Sequence, residues 1–164
     1  MTMDVPKNDV NLDELEEEFK DFLYRHNGKV TPERMAILRA LYRTDGHFSV
    51  EDILSLAEQE DVNVSRATVY RTLDLLVESG LAKRHAFQGQ ETLYESTLNT
   101  GHHDHVICMD CKQITEFFNP ELEKLQTQIL KELEMDHVHH VHQLYARCLK
   151  QNCPNRPESK VRNL

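Results

Sequence analysis

The sequence predicts an α+β protein, with an N-terminal winged helix-turn-helix domain and a small C-terminal α/β dimerisation domain that holds a three-stranded sheet. Two patterns carry this prediction. Residues up to 95 show helical periods followed by a hairpin, and residues from 102 show strand, strand, helix, strand. Between them Ser96-Thr97-Leu98-Asn99-Thr100-Gly101 has no period and is rich in turn formers. That places the domains at 1–95 and 102–164, with a linker at 96–101.

Met1–Val10 reads as a disordered lead. From Asn11 the apolar residues Leu12, Leu15, Phe19, Phe22 and Leu23 recur at helical spacing, with Asn11 and Glu14 placed as a capping box and Asn27-Gly28 as the stop. Thr31-Pro32 starts a second helix, an N-cap followed by proline at the first helical position, with Met35, Leu38, Leu41 and Tyr42 facing a core. A third begins near Ser49, with Asp52 as its capping partner, and buries Val50, Ile53, Leu54 and Ala57. Ser65 caps a fourth, Arg66 to Ser79, closed by Gly80. Its residues Val69, Leu73, Leu76 and Val77 point inward, which leaves Arg66, Thr68, Tyr70, Arg71 and Asp74 on or near the outer face. Two extended runs, Leu81–Phe87 and Thr92–Glu95, then form the hairpin.

Helices followed by a hairpin, with the last helix exposing Arg, Thr and Tyr, describe a module that lays that helix in the DNA major groove. Arginine there reaches phosphate or guanine, and tyrosine or threonine touches a thymine methyl. The formal charge of −9 argues against a bulk positive field, but residues 29–87 carry 8 basic and 9 acidic side chains and are near neutral. Any DNA affinity must come from local placement of Arg and Lys and from a second subunit. No long apolar run and no charged-then-apolar leader is present, so the expectation is a soluble, cytoplasmic chain with no membrane partner.

The second domain reads as strand His103–Met109, strand Gln113–Phe118, helix Pro120–Met135 and strand Val138–Ala146. Leu122, Leu125, Ile129, Leu130 and Leu133 give the helix one apolar stripe. So small a sheet leaves an edge and an apolar face to be covered, and dimerisation would supply the cover.

Its first strand carries the chemistry. In His102-His103-Asp104-His105-Val106-Ile107-Cys108-Met109-Asp110-Cys111, nitrogen and oxygen donors come first and a thiol pair follows. Strand alternation sends His103 and His105 to one face and His102 and Asp104 to the other, so one strand could feed two metal sites. Cys108-x-x-Cys111 suits a knuckle around a tetrahedral ion, and Cys148 and Cys153 are the chain's remaining cysteines. A closed four-sulfur zinc site uses all four. A disulfide framework fits secreted domains better, and a redox pair would open a helix where this one is followed by a strand-like run.

Ala67-Thr68-Val69-Tyr70-Arg71-Thr72-Leu73, the His102–His105 run, the Cys-x-x-Cys pair and the closing Cys-x4-Cys together resemble the ferric uptake regulator family of bacterial metal-dependent transcription regulators. The resemblance runs from about Asn11 to Cys153. It implies a regulatory site of His47, Glu95, His103 and His105 with Glu116 as a further oxygen donor, and a second site of His102, Asp104, Glu123 and His140. It also implies structural zinc on Cys108, Cys111, Cys148 and Cys153. His26, His85, His137, His139 and His142 receive no role.

For DNA the resemblance implies Tyr70 on thymine methyls, Arg66 and Arg71 on phosphates, Thr68 on the same helix, and Lys29 near the minor groove. The expected function is a homodimeric repressor, able to associate further, that binds an A/T-rich inverted repeat when its regulatory site holds Fe²⁺, with Mn²⁺ or Zn²⁺ as other candidates. Zinc uptake and peroxide sensing are the related alternatives. Relatives of the peroxide-sensing type tend to carry aspartate where this chain has Glu116. A zinc hydrolase is the alternative from another class, and the chain lacks the His-Glu-x-x-His type of motif that would support it.

Overall fold

The computed structural model describes residues 11–43, 46–88, 90–97, 102–149, 153 and 155. The lead Met1–Val10, the linker beyond Thr97 and, save Asn155, the tail from Pro154 lie outside the described residues. The chain divides into two compact units, one ending at Gly101 and the other starting at His102.

The first unit holds α1 (Leu12–Arg25), α2 (Pro32–Arg43), α3 (Val50–Glu58) and α4 (Arg66–Glu78), then β1 (Ala82–Ala86) and β2 (Thr92–Ser96). Helix α2 is the central element. Its Met35, Ile37, Leu38, Leu41 and Tyr42 are buried against Leu15, Phe19 and Leu23 of α1, Ile53 of α3 and Val69, Leu73 and Leu76 of α4. Each such side chain contributes roughly 1.5–3 kcal/mol on burial. The Tyr42 hydroxyl donates to the Leu81 carbonyl at 2.6 Å, which fastens α2 to the start of the wing.

The caps explain where the helices begin and end. Ser49 and Asp52 close a full capping box on α3, and Ser65 accepts the Thr68 N–H on α4. At α1 the expected box does not close. Asn11 accepts from the Asp13 N–H, and the Glu14 carboxylate takes its bond from the Asn11 side-chain amide instead. Helices α1 and α4 stop with a residue of positive φ, Asn27 or Gly80, followed by an N–H that returns to the helix, from Gly28 to Leu23 and from Leu81 to Leu76. The antiparallel wing then sets Lys83 opposite Glu95 and His85 opposite Leu93.

The second unit holds β3 (Asp104–Cys108), β4 (Ile114–Phe117), α5 (Pro120–Glu132) and β5 (Gln143–Ala146). Strand β3 is central, antiparallel to β4 and parallel to β5, and α5 lies on the crossover between β4 and β5. Helix α5 ends earlier than its apolar stripe suggests, because Glu134 takes a positive φ and the Met135 N–H returns to Leu130.

The last strand is shorter than the expected Val138–Ala146, and only Gln143–Ala146 pairs. Residues 138–141 stand outside the ladder and His142 gives it only its carbonyl, which accepts from the His105 N–H at 3.2 Å, while the His140 and His142 rings turn toward Asp104. Ile107 is the one buried apolar side chain of this unit among the described residues. Leu125, Ile129, Leu133, Val138, Val141 and Leu144 are exposed, an apolar surface too large for a sheet-and-helix unit to leave in water.

Candidate metal centres and nucleic-acid surface

In the winged unit an isolated antiparallel bridge brings two donors together. Phe48 and Tyr94 exchange backbone hydrogen bonds of 2.9 and 2.8 Å, so the neighbouring residues His47 and Glu95 meet. His47 Nε2 lies 3.3 Å from Glu95 Oε2, and that carboxylate is only 1% exposed. His85, which no sequence pattern singles out, places Nε2 2.8 Å from the same oxygen. The wing's register would have revealed it, since His85 stands two residues along β1 from the partner of Glu95, on the same sheet face.

In the second unit the two faces of β3 separate as alternation predicts. His103 and His105 have ring centroids 4.8 Å apart, and His105 pairs with Glu116 across the β3–β4 ladder. On the other side His102, Asp104, Glu123 and His140 converge. His102 Nε2 lies 3.3 Å from Glu123 Oε1 and 3.8 Å from Asp104 Oδ1, and His140 Nε2 lies 3.6 and 3.7 Å from the same two oxygens.

Most of these separations are too long for hydrogen bonds, but they lie at or slightly beyond the edge lengths of a polyhedron around an ion. Bonds of about 2.0–2.2 Å give ligand–ligand distances of roughly 3–3.6 Å. The buried Asp104 Oδ2 and His140 Nε2 have no hydrogen-bond partner, an arrangement that a bound cation would satisfy. The residues therefore fit a divalent ion. His137 Nε2 meets His140 Nδ1 at 3.1 Å and so orients that ring, while His142 Nδ1 lies 3.8 Å from Asp104 Oδ2. His26 has a local role, with Nδ1 2.8 Å from the Phe22 carbonyl at the end of α1.

The cysteine knuckle follows directly from the end of β3. Lys112 turns with positive φ, its N–H returns to the Cys108 carbonyl, and the Cys111 N–H points at Cys108 Sγ from 3.5 Å. Parallel pairing sets Cys108 beside Ala146, which delivers Cys148 two residues later, and the Cys148 N–H is held by Asp110 at 2.9 Å. The sulfurs of Cys108, Cys111 and Cys148 lie within 4.8 Å of one another, the Cys153 side chain is within hydrogen-bonding reach of the Cys111 thiol, and all four cysteines are free.

The Cys111 N–H holds the Cys108 thiol below its ordinary value. For Cys111 the Gln113 N–H pulls the same way, but the Cys108 and Cys153 sulfurs outweigh it and push the thiol up to about 11. Thiols so close cannot all ionise unless a cation sits among them. The donor set fits zinc.

On α4, Tyr70 is exposed and Arg71 folds back so that its Nε donates to the Ala67 carbonyl. Lys29, Arg34, Ser65, Thr68 and Arg71 line one open hollow. Thr68 is drawn into the cap by a 2.8 Å contact with Ser65, and Arg66 is paired with Glu51 at 2.8 Å. Arg84 of β1 pairs with Asp74 and stands over the Tyr94 ring.

The ferric uptake regulator family model matches residues 25–145, a span that takes in the wing, all three donor sets but Cys148 and Cys153, and most of the second unit. The chain belongs to the ferric uptake regulator family. A ferric uptake regulation protein of Brucella abortus is 38% identical over 133 residues, 81% of this chain and 94% of its own.

Among solved structures, the Helicobacter pylori ferric uptake regulator, which reveals three functional metal binding sites, matches with TM-score 0.78 at 27% identity over 90% of this chain and 95% of its own. The Pseudomonas aeruginosa ferric uptake regulator, solved with manganese, gives TM-score 0.68 at 34% identity over 80% and 98%. The regulator is thus a metal-responsive transcription factor and not an enzyme. The hydrolase alternative falls with that assignment.

Proposed function

We propose that this regulator is a homodimeric repressor that holds its operator when a ferrous ion occupies a regulatory site formed by His47, Glu95, His103, His105 and Glu116. The observation that carries the reading is the buried His47–Glu95 pair in the winged unit. His47 stands two residues before Ser49, the N-cap of α3, so a pull on its ring is a pull on the helix-turn-helix. A ligand can switch a protein only by binding one state better than another, and donors drawn from both units provide such a difference. The ion supplies the link; the residues set its position.

Imidazole and carboxylate donors accept Fe²⁺, Mn²⁺ and Zn²⁺, and the relatives named for ferric uptake favour iron. Zinc takes the four thiols as a structural ion, and the cluster of His102, Asp104, Glu123 and His140 takes a further divalent ion. The exposed apolar face of α5 and the region before β5 is covered by a second copy, each large side chain so buried contributing roughly 1.5–3 kcal/mol. Two-fold symmetry then matches an A/T-rich inverted repeat, read in the cytoplasm. Tyr70 contacts thymine methyls, with Arg66 and Arg71 on phosphates, Thr68 beside them and Lys29 at the minor groove.

The test is a gel shift with an A/T-rich inverted-repeat duplex in the absence of oxygen, with Fe²⁺, with Mn²⁺ and with chelator. Binding that appears only with metal supports the switch. Binding that ignores metal removes it.

A further inference from the structure

We infer that His85 is a third metal ligand, so that the winged unit captures the regulatory ion by itself through His47, His85 and Glu95. This deepens the regulatory reading above and rests on it. Two imidazole Nε2 atoms face one carboxylate oxygen, at 2.8 and 3.3 Å, and the three ligand atoms lie within 4.8 Å of one another. The 3.3 Å separation suits adjacent vertices around an ion whose bonds are about 2.0–2.2 Å long, since such edges run from roughly 3 Å upward, and the 2.8 Å one is a hydrogen bond that need open by only a few tenths of an ångström to admit the ion.

The three residues stand on paired backbone and not on a free loop. His85 is on β1, Glu95 on β2, and His47 is fixed beside Glu95 by the Phe48–Tyr94 bridge. The rings of His47 and His85 are 5.0 Å apart and steeply inclined at 71°. Phe87, 2% exposed, stacks on His85 at 5.5 Å and meets the His47 ring edge-on at 5.9 Å.

A dry aromatic wall and a fixed backbone leave the rings little freedom to turn away, which is the support that metal ligands require. Three protein ligands are enough to retain an ion with open positions. His103, His105 and Glu116 then complete a sphere that the winged unit has begun.

The experiment uses the full chain carrying His103→Ala and His105→Ala, with zinc left on its cysteines, titrated with Co²⁺ and followed by proton NMR. Each imidazole bound to cobalt gives one exchangeable, strongly shifted ring N–H resonance. This double variant is expected to retain a cobalt ion near His47, and adding His85→Gln, which keeps a hydrogen bond to Glu95, should weaken that ion at least tenfold and remove one shifted N–H resonance. Unchanged affinity with every shifted resonance kept would overturn the role of His85. So would a double variant that binds no cobalt near His47. The regulatory reading is judged separately by His47→Ala in the otherwise unaltered chain, and falls if that variant keeps full metal-dependent DNA binding, whatever His85 does.

Discussion

Phe48, which belongs to no regular strand, exchanges two backbone hydrogen bonds with Tyr94 of β2, and this bridge sets the loop before α3 against the wing. Its consequence is the meeting of His47 and Glu95 on the neighbouring positions. Phe48→Pro removes one donor and should lower Mn²⁺ affinity at the regulatory site by about 10–100-fold, the range found when the groups that orient metal ligands are lost. Manganese titration by electron paramagnetic resonance reads the affinity, and far-ultraviolet circular dichroism confirms that the helices remain. Unchanged affinity would mean that the bridge does not position these ligands.

Asp104 is 1% exposed and faces His102, His140 and His142 at 3.7–3.8 Å. Replacing one of its oxygens with an amide puts N–H groups toward those rings and takes away the charge. Native mass spectrometry of Asp104→Asn should show one divalent ion fewer per chain, with the cysteine-bound zinc retained. In excess metal the unaltered protein should also be the more stable, by about 2.7 kcal/mol at a free-ion concentration 100 times the dissociation constant. Equal metal content in the two proteins would deny an ion to this cluster.

Zinc binding should be visible as released protons. The Cys111 thiol of the metal-free chain, pushed up to about 11, is protonated at neutral pH, whereas a zinc ligand must be a thiolate. Binding therefore expels at least the Cys111 proton, so affinity rises as pH climbs toward 11 and falls in acid. A pH indicator in weakly buffered, reduced protein measures the release, and Cys111→Ser should lower both release and affinity. Zinc uptake without any proton release would contradict the assignment.

On DNA two of the exposed residues of α4, Tyr70 and Arg71, should behave differently. Arg71, near Lys29 and Thr68 on one hollow, is assigned to a phosphate, so Arg71→Ala should weaken all sequences alike and reduce the salt slope by about 1. Tyr70→Ala should instead cost about 1–3 kcal/mol of discrimination between operator and mismatched duplexes. Fluorescence anisotropy at several salt concentrations separates the two. A salt slope unmoved by Arg71→Ala would take that residue off the backbone.

Local chemistry made much of this molecule readable. Ser49 with Asp52, and Ser65 ahead of Arg66, mark helix starts because their side chains answer backbone N–H groups that the helix cannot. Period two along the His102–His105 run separates two donor sets, and the close cysteine spacing forms a knuckle. What stayed hidden depends on long-range register. His85 joins Glu95 only because β1 pairs with β2 as it does. Residues 138–142 carry two β-branched valines that favour a strand, yet His140 and His142 are drawn to Asp104, a preference that no local pattern records. The stripe on α5 is legible in full: Leu125, Ile129 and Leu133 are exposed, the apolar face that so small a sheet and helix are expected to leave in need of cover.

The central claim is that donors of both units serve one ion. A double-mutant cycle on His47→Ala and His103→Ala tests it most directly, read as the change in operator affinity on adding Fe²⁺ without oxygen. Regulatory coupling of this kind typically amounts to about 5–150-fold. Each single variant should lose that gain and the double variant should lose no more, since ligands of one ion act as a unit. Losses that add, or a gain that survives either substitution, would contradict the account.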